Sequence, residues 1–205
     1  VELSVVDPTD QESISRGKQQ LNQKGIWYTP VSGIWQTVWL EAVNPQHIRQ
    51  ILPEADIHKK TVKLHLDIAG AKGQENIKVE VMDDGKVIKT ITQKGISDME
   101  IEIPNAVLWS PASPKIYHLN VELSVNGKTT DNVKSYFTLR ETSIKKDACG
   151  YNRICLNGEP IFQFGTLDQG WWPDGLLTPP SEEAMLWDMV QLKEMGFNTI
   201  RKHIK

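Results

Sequence analysis

Between residues 44 and 141 the chain alternates apolar and polar residues with a period of two, and this limits its fold more than anything else in it. Val62, Leu64, Leu66 and Ile68 alternate with Lys63, His65 and Asp67. Ile77, Val79 and Val81 alternate with Lys78 and Glu80, and Ile101 and Ile103 with Glu100 and Glu102. Leu119, Val121, Leu123 and Val125 alternate with Asn120, Glu122 and Ser124. Successive side chains of a strand point to opposite faces, so each run buries one face and wets the other. Asp83-Asp84-Gly85-Lys86 and Asn126-Gly127-Lys128 supply hairpin turns from residues that tolerate positive φ. Counting further strands, approximate ones near 46–56 and 131–141 among them, seven strands occupy about 95 residues, the size of an immunoglobulin-like sandwich. The expected class is mainly β. On this pattern the sandwich glutamates point outward, and Trp109, Tyr117, Tyr136 and Phe137 are expected inside.

The remaining composition excludes several functions. A formal charge of −3 gives no basic footprint, and Lys59-Lys60 and Lys145-Lys146 are isolated pairs, so no nucleic acid partner is expected. No run approaches the roughly 18 apolar residues that would cross a bilayer, and no membrane partner is expected. The first residues lack the charged and apolar regions of a signal peptide. In an internal piece that says nothing of the parent protein, whose compartment stays open, with a periplasmic or secreted one the expectation. Cys149 and Cys155 flank a turn and could face each other across a hairpin, although two free, partly buried thiols are the plainer reading. No zinc ligand set appears, and neither metal nor cofactor is expected.

The last fifty residues follow another rule. Residues 157–160, Asn-Gly-Glu-Pro, make a turn; 161–165 form a short apolar strand; 166–180 form a polar, Trp-rich loop. Ser181 offers a helix N-cap with Glu182 and Glu183 in the first turn, where the helix dipole favours negative charge. Met185, Met189, Leu192 and Met195, with Leu186 and Val190 beside them, recur at helical spacing, and Gly196 is the left-handed stop. Residues 198–205 alternate again as a strand. At the other end, 1–43 suggest two strands, around Leu3-Ser4-Val5 and at 33–41, framing a polar loop.

Several words in these segments resemble glycoside hydrolase family 2, the β-galactosidases, β-glucuronidases and β-mannosidases. They are Leu-Asn-Gly-Glu-Pro-Ile (156–161), Asp-Gln-Gly-Trp-Trp-Pro-Asp-Gly-Leu (168–176) and Lys-Glu-Met-Gly-Phe-Asn-Thr-Ile-Arg-Lys-His-Ile-Lys (193–205). Ser-Gly-Ile-Trp (32–35) and the Trp-Ser-Pro of 109–111 add weaker likenesses. The resemblance implies three pieces: residues 1–43 as the end of a sugar-binding-like jelly roll, 44–141 as the sandwich, and 142–205 as the truncated start of a (β/α)8 catalytic barrel. Such an open barrel start would leave apolar faces that favour self-association.

In a (β/α)8 barrel, binding groups gather at the C-terminal ends of the strands. The resemblance therefore makes Asp168, Gln169, Trp171, Trp172 and Asp174, after the first strand, and Arg201 and His203, on the second, the substrate-binding candidates. Amides and carboxylates can hydrogen-bond sugar hydroxyls, and an indole can cover the apolar face of a pyranose. The plainer alternative is that the two aspartates cap loop turns and the tryptophans pack. A His precedes or follows these words differently in many members of the family: Gln169 stands where β-galactosidases carry His, and His203 comes two residues after the Arg rather than three. A retaining glycosidase needs two carboxyls about 5–5.5 Å apart. In the family both are glutamates on later barrel strands, so none of this chain's residues is assigned a catalytic role. Glu182, Glu183 and Glu194 read as capping and surface residues. The expectation is thus a non-catalytic part of a retaining β-glycosidase acting on carbohydrate. The alternative is a stand-alone structural spacer or a carbohydrate-binding sandwich.

Overall fold

The structure is a computed structural model that describes residues 1–95 and 98–203. Its chain forms two compact units, Glu41–Phe162 and Val1–Leu40 with Gln163–Lys205.

In the first unit the alternating runs become β1 (His47–Asp56), β2 (Thr61–Ala69), β3 (Glu75–Asp83), β4 (Lys86–Lys94), β5 (Met99–Glu102), β6 (Tyr117–Val125) and β7 (Lys128–Phe137). They pair antiparallel in two sheets, β1-β2-β5 and β4-β3-β6-β7. Val62, Leu64 and Ile101 from the first sheet join Ile77, Val79, Val81, Leu119, Val121 and Leu123 from the second in one core, none of them exposed. Burying such a side chain contributes about 1.5–3 kcal/mol, and the polar partners of the alternation solvate the outer faces. Asp84 (φ 46°) with Gly85 (φ 78°), and Asn126 (φ 51°) with Gly127 (φ 76°), take the paired positive φ angles of two-residue hairpin turns whose twist matches that of the strands.

The crossover from β5 to β6 is held by aromatics. Trp109 N–H donates to the Leu139 carbonyl at 2.8 Å, and the Arg140 guanidinium lies 4.9 Å from the Trp109 ring centroid. The Tyr117 hydroxyl accepts from Val107 N–H at 2.9 Å, and its ring stacks on Phe137 at 5.4 Å. Tyr136 departs from the expectation that all four aromatics are inside. It has the opposite parity to buried Phe137 and is 64% exposed.

Glu75 departs in the other direction. It shares the inward parity of Ile77 and is fully buried, so not every sandwich glutamate points outward. Its Oε1 accepts from Lys72 N–H at 2.6 Å and from the Gln46 amide at 2.9 Å. The Lys72 N–H in particular holds the carboxyl below its ordinary value of 4.5. A depressed carboxyl stabilises the fold above its unfolded value and loses that contribution as the pH falls through its folded one. Glu75→Ala is expected to cost about 1–3 kcal/mol by removing a buried acceptor from the part-buried donors of Lys72 and Gln46. Denaturant titrations should show the deficit in full near pH 7 and shrinking below pH 4.5.

After β7 a meander of β8 (Thr142–Lys146), β9 (Asn152–Leu156) and β10 (Glu159–Pro160) follows. Cys155 is buried opposite Ser143 and Cys149 is exposed, and both are free thiols.

The second unit contains β11 (Gly165–Asp168), α1 (Glu182–Glu194) and β12 (Thr199–Lys202). The strand expected over 161–165 starts only at its last residue, because Ile161 N–H still donates to Ile154 at the end of the meander, at 3.0 Å. The helix begins as read: Ser181 Oγ accepts from Ala184 N–H at 3.2 Å, and Gly196 closes the helix at φ 89°. None of its residues is buried; Leu186, Trp187 and Met189 are exposed, as is Met195 at its C-cap. Residues 1–40 form no strand, only an isolated parallel bridge between Gln19 and Tyr28. A strand needs a ladder partner, and the alternations at Leu3-Ser4-Val5 and 33–41 find none among the described residues. Of the strand expected over 198–205, Ile204 and Lys205 lie outside the described residues.

Candidate functional site

β11 and β12 are parallel neighbours, with Gly165 opposite Thr199, Thr166 opposite Ile200, Leu167 opposite Arg201 and Asp168 opposite Lys202. Residues in register share a face and successive residues alternate, so the two-stranded sheet sorts its side chains into two sets. Thr166, Asp168, Ile200 and Lys202 share one face, and together with Met185 and Leu192 of α1 they line a groove of about 540 Å³. Leu167 and Arg201 share the opposite face.

Asp168 is the most connected of the candidates. Its Oδ2 accepts from Lys202 Nζ at 2.8 Å, its Oδ1 from Gly170 N–H at 2.7 Å, and its carbonyl from His203 N–H at 2.9 Å. The carboxylate thus closes the turn that launches the Trp-rich loop and also neutralises the lysine at the strand end. The turn-capping bond expected of Asp168 as the plainer alternative is present.

The loop after β11 folds back toward the N-terminal segment of the same unit. The Tyr28 hydroxyl donates to Gln169 Oε1, and the Tyr28 ring stacks on Trp171 with centroids 4.9 Å apart and planes 21° from parallel. Trp172 and Leu176 exchange backbone hydrogen bonds of 2.8 and 3.1 Å, so Asp174 stands exposed in the tight turn between them. A cleft of about 430 Å³ is lined by Tyr28, Asp168, Gln169, Trp171, Trp172 and Asp188. Ser32 anchors the N-terminal segment by donating to Asp7, whose carboxyl this bond and Thr9 N–H hold below its ordinary range.

Four of the seven candidates, Asp168, Gln169, Trp171 and Trp172, therefore meet in one cleft. Asp174, Arg201 and His203 do not line it. Arg201 faces away from Asp168 because their register positions differ by one, and Lys202 occupies the place beside the carboxylate. Tyr28, Asp188 and Lys202 are not among the candidates that the sequence suggests. For Lys202 the parallel register was the missing signal. For Tyr28 no local pattern existed, since its partner lies 141 residues away. Among the described residues no group of His, Cys, Asp or Glu could hold a metal ion. The cleft offers an amide, a carboxylate and aromatic faces, which suits a ligand with hydroxyls on an apolar frame.

Comparison with known proteins shows what the chain is similar to. Residues 46–140 match the model of Glycosyl hydrolases family 2. A putative beta-glucuronidase of Formosa agariphila is 29% identical over 191 residues, covering 88% of this chain and 18% of that protein. A beta-galactosidase of Thermoanaerobacter pseudethanolicus is 26% identical over 144 residues, covering 65% of this chain and 19% of that one. The chain thus spans about a fifth of the length of these curated relatives. Among solved structures, a beta-glycosidase from Bacteroides vulgatus superposes with a TM-score of 0.71 at 25% identity, covering 86% of this chain and 23% of that one. Beta-glucuronidase 3 of Bacteroides uniformis gives 0.61 at 27%, with coverage of 78% and 21%.

Proposed function

Because the chain is a relative of the family 2 glycosyl hydrolases, we propose that it serves in a retaining glycosidase acting on β-linked sugars, as a part without the catalytic carboxylates. The observation that carries this reading is the cleft in which Gln169, Asp168 and the Tyr28–Trp171 stack lie together. Residues 1–43 would be the end of a jelly roll, 44–141 a sandwich spacer, and 142–205 the beginning of the catalytic barrel. In such an enzyme the aromatic pair and Gln169 hold the sugar. Asp168 shapes the loop and offsets Lys202, and Arg201, on the other sheet face, orients groups within the barrel. The acid and the nucleophile are supplied from outside these residues.

A screen of the 205-residue chain against nitrophenyl β-glycosides tests the proposal. The expected result is no hydrolysis, together with quenching of tryptophan fluorescence by β-glycosides that Trp171→Ala weakens several-fold. Hydrolysis by the chain would overturn the non-catalytic assignment, and quenching unchanged in Trp171→Ala would remove the cleft as the sugar site.

A further inference from the structure

On the outer face of the sheet β1-β2-β5, the two ring nitrogens of His65 each meet a different carboxylate. Nδ1 lies 2.9 Å from Asp98 Oδ1 and Nε2 lies 3.1 Å from Glu54 Oε2. An ionised carboxylate only accepts hydrogen bonds, and a neutral imidazole carries one N–H. Both contacts can be hydrogen bonds at once only when both nitrogens are protonated. The three groups come from separate pieces of the sheet: Glu54 from β1, His65 from β2, and Asp98 from the residue just before β5. Among the described residues β5 is a four-residue edge strand paired with β2 alone, so apart from the core packing of Met99 and Ile101 its hold on the sheet comes from one side.

We infer that His65 is a proton-dependent clasp on the edge strand β5, bonding Glu54 of β1 and the Asp98 that leads into β5 at once when doubly protonated, and on losing a proton keeping its one N–H for Glu54 and giving up Asp98, which Lys63 already serves. The carboxylates of Glu54 and Asp98 favour the doubly protonated ring, and the Lys63 cation beside it opposes that form. Lys63, beside His65 on β2, donates to Asp98 at 2.9 Å, and Glu100 on β5 pairs with Lys59 at 3.5 Å. Asp67, next along the same face of β2, is taken up by Arg49 at 3.0 Å. The bonds to Glu54 and to Asp98 raise the imidazole above its ordinary 6.5, and the bond from Lys63 lowers the Asp98 carboxyl. A raised histidine gives its full stabilisation below the unfolded value and loses it as the pH rises through the folded one. The clasp is therefore closed on the acid side of 6.5 while both carboxylates stay ionised, and it opens on the alkaline side of 6.5.

The test follows the His65 ring by NMR while hydrogen exchange reads the amides of Met99–Glu102, expressed as protection relative to intrinsic rates. In the wild-type chain the ring should titrate above 6.5, and β5 opening should increase roughly two- to fivefold through that same titration, the range typical of exposed charge pairs. Glu54→Gln and Asp98→Asn should each lower the midpoint, and His65→Gln should leave β5 protection independent of pH over this range. A wild-type midpoint at or below 6.5, or β5 protection unchanged while His65 titrates, would overturn the clasp.

Discussion

Leu119→Ala is expected to lower the unfolding free energy of the sandwich by about 3–4 kcal/mol, within the range for emptying a buried leucine site. Leu119 has no exposed surface and is the third residue of β6, between Val81 of β3 and Ser135 of β7. Both sheets contribute to the core it enters, and strands paired on either side leave the backbone little freedom to collapse into the space. In urea, where small domains lose about 1–3 kcal/mol per molar, the midpoint should fall by about 1 M or more with the slope unchanged. Asn120→Ala, one residue along on the outer face, should shift it far less. A loss below about 1 kcal/mol at Leu119 would contradict the position of β6 at the centre of the sheet.

Gly165→Ala is expected to disrupt the pair β11–β12. A Cβ there would lie 2.0 Å from the Thr199 carbonyl oxygen, 2.6 Å from its carbon and 2.8 Å from the Thr199 Cβ. Two of these three atoms are backbone, so no rotamer change relieves the overlap, and one strand must move away. Overpacking of well-packed sites costs about 1–3 kcal/mol and backbone clashes reach the upper end or beyond. The pair is four residues long and α1 buries no residue over it, so little other packing resists the separation. Hydrogen exchange should show protection lost at Thr166–Asp168 and Thr199–Lys202, with β3 and β6 as internal reference. The Asp168–Lys202 pair should go with it. Unchanged protection at both strands would show that the parallel register is wrong.

The two substitutions differ in how readily the sequence announces them. Leu119 lies in an unbroken alternation whose inward member is plain, and the two-residue turns at 84–85 and 126–127 pin the register of their hairpins. Gly165 looks like the end of an apolar run. Only the parallel partner, 34 residues on, shows that its missing Cβ is required. The same distance hides the division of the candidate site. Arg201 and Asp168 are both polar residues at strand ends, and it is the one-residue register difference between them that sends their side chains to opposite faces. Residues 1–40 show the converse, since alternation without a ladder partner does not make a strand.

What the sequence determined by itself was what depends on near neighbours: the sandwich strands and their inward faces, the tight turns, the Ser181 cap and the Gly196 stop. These follow from side-chain alternation, positive-φ tolerance and local hydrogen bonds, which act within a few residues. Tertiary structure alone decided that Glu75 is buried, that Tyr136 is exposed, that Lys202 rather than Arg201 meets Asp168, that Tyr28 covers Trp171, and that His65 lies between two carboxylates. Each of these depends on which distant segment pairs with which and in what register, and a shift of one residue there turns every side chain to the other face.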